Sequence, residues 1–156
     1  MDGVYDDVIE SVSEVLARAV LEREEDASVL DVDSDVRGLL RVVGLLTSQR
    51  LVNALTSRVL QEAAERGLII NRSAQIAVDC LFGRLEVSSP YLRDTFGGTE
   101  RPVRELGLTH RAKTPALQRV LTDFGIEDSF GLAASRFEEH YGWALHRTSL
   151  LRVVQD

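Results

Sequence analysis

The sequence predicts a mainly α-helical protein with one β-hairpin (α+β): a helical N-terminal segment, the hairpin, and a C-terminal three-helix bundle containing a helix-turn-helix. Three observations carry this prediction. Apolar side chains recur at helical spacing over residues 4–24 and again over residues 39–63. From Gln75 to Ser89 the spacing drops to two, as in a strand. Beyond Thr114 helical spacing returns in short segments punctuated by caps and glycines.

The first helical stripe runs through Val4, Val8, Ile9, Val12, Val15, Leu16, Ala19 and Val20, with acids on the other face. "REEDASVLDVDSD" breaks it. A second pattern follows through Leu39, Leu40, Val43 and Leu46, and a third through Leu51, Val52, Leu55, Val59 and Ala63, stopping near Gly67. One continuous helix or two both fit these positions; Gly44, Thr47 and Ser48 favour a break, with "TSQ" as the new cap.

"QIAVDCLFGRLEVSS" alternates at Ile76, Val78 and Cys80, turns at Phe82-Gly83, and alternates again at Leu85 and Val87. Such a hairpin is marginal alone in water, so it should pack on a helix or pair with another chain. "PYLRDTFGGTERPVRELGLTHRAK" is rich in Gly, Pro and charge and reads as a linker, with a short helical turn at "VRELG". The last third is helical. Thr114 caps and Pro115 opens a helix with the stripe Leu117, Val120, Leu121 and Phe124, closed by Gly125. Asp128 or Ser129 caps the next, whose stripe is Phe130, Ala133, Ala134, Phe137 and Tyr141, and Gly142 ends it. The bend "WAL" leads into a final helix from about Arg147, apolar at Leu150, Val153 and Val154. The expected organisation is a helical, acidic region over 1–70, hairpin and linker over 71–98, and a helix-turn-helix region over 99–156.

Composition bounds the function. At 156 residues and 44% apolar, the chain holds one ordinary domain or two small units, with a real core. Cys80 is the single cysteine, so an internal disulfide and a thiolate metal cluster are excluded; on the inward register of a strand it reads as a small core residue. No apolar run is long enough to span a bilayer, and "MDGVYDDVIE" is too acidic to open a signal peptide. The expectation is a cytoplasmic protein without membrane contact. A net charge of -7 argues against nucleic acid, because phosphate contacts need Lys and Arg. That charge is concentrated: residues 1–35 carry -10, residues 36–89 carry +3, and residues 90–156 are balanced.

A helix-turn-helix needs small residues where its helices cross, a glycine in the turn, and a second helix free to enter the major groove. Ala133 and Ala134 supply the first, Gly142 the second, and Leu145, Leu150 and Val153 anchor the second helix. Arg147, Thr148, Ser149, Arg152 and Gln155 are then left outward, and these side-chain types contact phosphates and base edges. Arg111 and Lys113, just before the trio, are placed to clamp the backbone. Against this, any three-helix bundle shows arginines outside, Glu138 and Glu139 sit near the turn, and His146 stands where a Ser, Thr or Asp cap is expected.

Other patterns read as structure. In "DVDSD", Asp31, Asp33 and Asp35 lack the glycine and the bidentate glutamate of a calcium loop and suit an acidic helix start. His110, His140 and His146 fit no zinc spacing. Trp143 reads as an anchor between helices, and "FGG" at 96–98, lacking a Lys-Ser/Thr sequel, as linker.

The run from "LFGRLEVSSPYLRD" to "RPVRELGLTHRAKTPALQRVLTDFGIEDSFGLAASRFEEHYGWALHRTSLLRVV" resembles the N-terminal part of insertion-sequence transposases of the Kra type, over roughly residues 80–154. That family has "LFGxLEVxxPY", then "LGL" or "LGI", then a helical pair carrying "SF…AA…FEEHYG" and "STVxRVV". The resemblance implies that "AASRFEEHYG" and "HRTSLLRVV" form the helix-turn-helix and that Arg147, Thr148, Ser149 and Arg152 meet the transposon end. Many relatives carry paired cysteines after the hairpin; "PYLRDTFGGTERPV" has none, so no metal or cofactor is expected. In the family a ribonuclease-H-like catalytic domain follows, and it has not begun at Asp156. The expectation is therefore a non-catalytic protein that binds double-stranded DNA, pairs with a second copy through its N-terminal helices, and takes no small-molecule substrate. The alternative is a helical interaction or scaffold protein without DNA affinity.

Overall fold

The computed structural model describes residues 6–23, 31–109 and 111–155. Val4, most of the predicted break after Arg23, His110 and the side chain of Gln155 lie outside them. The described residues form five α-helices, a 3-10 helix and short strands in two sheets, an α+β fold. The chain divides into two compact units, residues 1–43 and 44–156. The expected boundaries near 70 and 98 both fall inside the second. No described helix is long and apolar enough to cross a membrane.

The first unit contains helix α1 (Asp6–Arg23) and the start of helix α2 (Val32–Glu65). Acids occupy the first turn of each, Asp6 and Asp7 in α1, Asp33 and Asp35 in α2, where the helix dipole favours negative charge. "DVDSD" is thus a helix start, as its sequence suggested. Much of the apolar stripe of α1 remains in water: Val8, Ile9, Val12 and Val15 are all exposed, as is Leu21 beside it.

Helix α2 is unbroken, which settles the question left open at Gly44 and Thr47-Ser48. Gly44 serves packing and not termination: a Cβ there would lie 2.6 Å from the Phe82 ring, so only glycine admits the ring against the helix. Thr56 stays helical by donating its hydroxyl back to the Val52 and Asn53 carbonyls.

In the second unit, strands β2 (Gln75–Cys80) and β3 (Gly83–Ser88) form the predicted hairpin, pairing Ile76 with Val87 and Val78 with Leu85. The alternation puts Ile76, Val78, Cys80, Leu85 and Val87 into one core, against Leu45, Val52 and Leu60 of α2 and against Val103. The hairpin therefore packs on a helix, as its marginal stability alone required. Cys80 is buried there, a core residue.

The predicted linker is a folded stretch. Strands β1 (Ile69–Arg72), β4 (Tyr91–Arg93) and β5 (Thr99–Glu100) make one antiparallel sheet, and a 3-10 helix follows at Pro102–Leu106 where the helical turn was expected. Strand β6 (Ala112–Lys113) then joins β2 in parallel, completing the second sheet. Its glycines and prolines mark tight turns and not slack. At "FGG" the Asp94 carboxylate accepts hydrogen bonds from the Phe96 and Gly98 amides at 2.8 and 2.7 Å, closing the β4–β5 turn. Leu92, Pro102 and Val103 are buried, so the segment carries core.

Helices α3 (Pro115–Glu127), α4 (Phe130–Tyr141) and α5 (Arg147–Gln155) form the C-terminal trio. Their shared core is Leu117, Leu121, Ala133, Phe137, Leu145 and Leu150. The α3 N-cap is Thr114, and Ser129 resolves the choice at the start of α4, its Oγ accepting from the Leu132 amide. Gly125 does not close α3; the helix continues to Glu127. What needs glycine there is the crossing of α3 and α5, because a Cβ would come within 2.6 Å of Val154 Cγ2. Gly125→Ala is expected to cost about 1–3 kcal/mol by overpacking this crossing, although alanine is the better helix former, as read by thermal or urea unfolding.

Candidate nucleic-acid interface

The C-terminal trio is oriented by its bend. Helix α4 ends at Gly142, whose left-handed φ of 70° releases the chain into "WAL". Trp143 packs its ring edge-on against Phe137 at 5.3 Å between centroids, and its Nε1 donates to the Leu81 carbonyl at 2.9 Å. The predicted helix anchor thus also ties the trio to the turn of the β-hairpin. Leu145 and Leu150 enter the core on either side of the α5 N-terminus, with Val153 packed beside them.

His146 fills the capping position that its residue type seemed to leave vacant. Its Nδ1 accepts the Thr148 amide at 3.3 Å and lies 2.8 Å from the Thr148 hydroxyl, while its carbonyl accepts from the Ser149 amide. An imidazole nitrogen satisfies the same orphan donor as a hydroxyl does. Thr148 is therefore engaged at the helix start as well as exposed. Arg147 and Arg152 are exposed, and Ser149 is half-buried.

Arg111 and Lys113 are held by the parallel pairing of β6. The Arg111 amide donates to the Ala77 carbonyl and the Thr114 amide to the Asp79 carbonyl, both at 3.0 Å, and Lys113 stands in register with Asp79. Arg111 has φ of 62°, the left-handed region, which costs a non-glycine residue roughly 1–2 kcal/mol.

These placements bring together side chains far apart in sequence. Arg111, Lys113, Thr148, Ser149 and Arg152 all line one cleft of about 440 Å3, joined there by Arg84 of β3. A second cleft of about 580 Å3 shares Arg111, Lys113 and Arg152 and adds Gln118, Arg119 and Thr122 from α3. Arg147, alone of the six predicted contact residues, lines neither.

Asp79 is the carboxylate that lines the first cleft, 5% exposed on the outward register of β2. It accepts a hydrogen bond from Arg84 Nε at 2.9 Å, and that bond, with the carboxylate's charge, holds the Arg84 guanidinium above its usual range. Among the described residues, Arg111, Lys113, Arg119, Arg147 and Arg152 are in no ion pair. Elsewhere Arg136 of α4 is tied to Asp128 and Glu127, a contact that braces the α3–α4 corner.

Sequence reasoning did not single out Arg84, Gln118, Arg119 or Thr122. Gln118 and Thr122 stand one turn apart on α3, and Arg84 lies on the outward register of a recognised strand, so the pattern carried their positions. It did not carry the β2–β6 pairing that gathers them: a two-residue strand has no period to read. Among the described residues no group of three His, Cys, Asp or Glu side chains is placed to hold a metal ion. No protein-family model, curated protein or solved structure matches the chain.

Proposed function

We propose that this protein binds double-stranded DNA as the N-terminal part of an insertion-sequence transposase does, with α4 and α5 acting as a helix-turn-helix on transposon-end DNA. The observation that supports this is the convergence of Lys113 of β6 and Arg111 just before it with Thr148, Ser149 and Arg152, from a helix, on a single cleft. Side chains of these types recognise phosphate oxygens and base edges. The net charge of -7 does not oppose it, because the acids are concentrated in residues 1–35. In this reading the protein acts in the cytoplasm, without metal or cofactor and with no catalytic residue assigned. The exposed apolar side chains of α1 pair it with a second copy, which suits two half-sites.

The test is a titration into fluorescent duplex DNA at several salt concentrations. With about five phosphate contacts, log K is expected to fall against log salt with a slope of about -4 to -5. Absence of binding at low salt overturns the proposal and favours a helical interaction protein, the reading to which the exposed face of α1 also lends itself.

A further inference from the structure

Resting on the DNA-binding reading, we infer that the two clefts form one phosphodiester track, in which Arg119 and Gln118 are contacts of the same standing as Arg111, Lys113 and Arg152, and Arg84, already paired with Asp79, adds its remaining guanidinium donors. Arg147, outside the track, is the residue that reads base edges.

The cleft that touches α3 is lined by Arg111, Lys113, Arg119 and Arg152, with no carboxylate among the described residues of its lining. Four like charges around one depression repel one another, and a polyanion with a charge at every step relieves that repulsion along its length. The non-ionic lining suits the same ligand: the Gln118 side-chain amide is a donor to phosphate oxygens, while the Thr122 hydroxyl donates back to the Gln118 carbonyl at 3.0 Å and only lines the wall. The track is also pre-formed. Lys113 is on a paired strand, Arg111 is fixed by its amide to Ala77, and Arg84 is oriented by buried Asp79. Cations set on a rigid backbone lose less freedom on binding than cations on a slack loop.

Arg152 and Arg147 thereby take different roles, although both face outward on α5. Arg152 lines both clefts, whereas Arg147 opens the helix beyond them. An arginine at the start of a recognition helix is placed for the bidentate contact with guanine. A track residue contributes to every sequence equally.

The full chain is tested with a randomised duplex pool, and its Arg119→Ala and Arg147→Ala variants beside it. Arg119→Ala is expected to bind every duplex about tenfold more weakly and to flatten the salt slope by about 0.9, with the selected motif and the melting temperature unchanged. Arg147→Ala is expected to relax the motif at one position. If the wild-type chain binds duplex and Arg119→Ala keeps both its affinity and its slope, the track is wrong and the DNA reading stands. If Arg119→Ala alters the motif, the division of roles is overturned. Failure of the wild-type chain to bind duplex removes both readings, and equal retention of poly-L-glutamate marks the clefts as a site for acidic polypeptide, which overturns the inference.

Discussion

Phe137→Ala is expected to remove about 3–5 kcal/mol of unfolding free energy, the largest single loss in the C-terminal trio. Phe137 is fully buried at the centre of the core that α3, α4 and α5 share. Its ring stacks on Tyr141 at 4.7 Å and meets Trp143 and Phe124 edge-on, at 5.3 and 6.5 Å. Alanine would leave a cavity lined by those rings, which are too rigid to collapse into it. Because Trp143 also holds the Leu81 carbonyl, the loss should spread to the hairpin. Urea unfolding followed by Trp143 fluorescence measures it directly, since Trp143 is the single tryptophan. A loss below about 1 kcal/mol would mean that this aromatic cluster is not the centre of the unit.

The double variant Arg111→Gly/Arg152→Ala is expected to lose duplex affinity by about a hundredfold or more without loss of stability. Arg111, Lys113 and Arg152 line both clefts, so the double variant removes two of the three shared charges at once. Charge-assisted hydrogen bonds contribute about 1.5–3 kcal/mol each, and two of them correspond to roughly two to four decades in Kd. The substitutions are chosen to spare the fold. Glycine accepts the φ of 62° that strains Arg111, and Arg152 is exposed while Leu150 and Val153 keep α5 anchored. The melting temperature should therefore hold or rise slightly as DNA binding disappears. Intact binding by a folded double variant would separate these clefts from DNA altogether.

Much of this architecture was legible in the residues. Helical spacing located all five α-helices of the described residues, alternation located the hairpin, and the Thr114, Ser129 and Gly142 caps stood at or beside the ends they mark. Glycine was the least legible residue. Gly44 and Gly125 read as breaks and proved to be points of close approach, to Phe82 and Val154, because a missing Cβ serves either purpose and only the neighbour decides which. The Gly- and Pro-rich stretch from Pro90 to Lys113 misled for a related reason. Its strands are two or three residues long, too short to show alternation, so only the turns between them were visible.

The same division runs through the candidate site. Arg111, Lys113, Thr148, Ser149 and Arg152 were named from local chemistry, and each lines the cleft. Arg84 and Arg119 were not named, and Arg147 was not told apart from Arg152, because those distinctions depend on which element lies beside which.

By itself the sequence determined what depends on near neighbours: helix and hairpin periods, caps, and the outward polar face of α5. Only the tertiary structure decided that α2 is continuous, that β6 lies parallel to β2, and that cations from β3, β6, α3 and α5 share adjoining clefts. The physical reason is range. Periodicity and capping act within a few residues along the chain, whereas the close approach of Phe82 to Gly44 and of Val154 to Gly125 and the backbone pairing of Asp79 with Lys113 join segments tens of residues apart, and no local pattern encodes them.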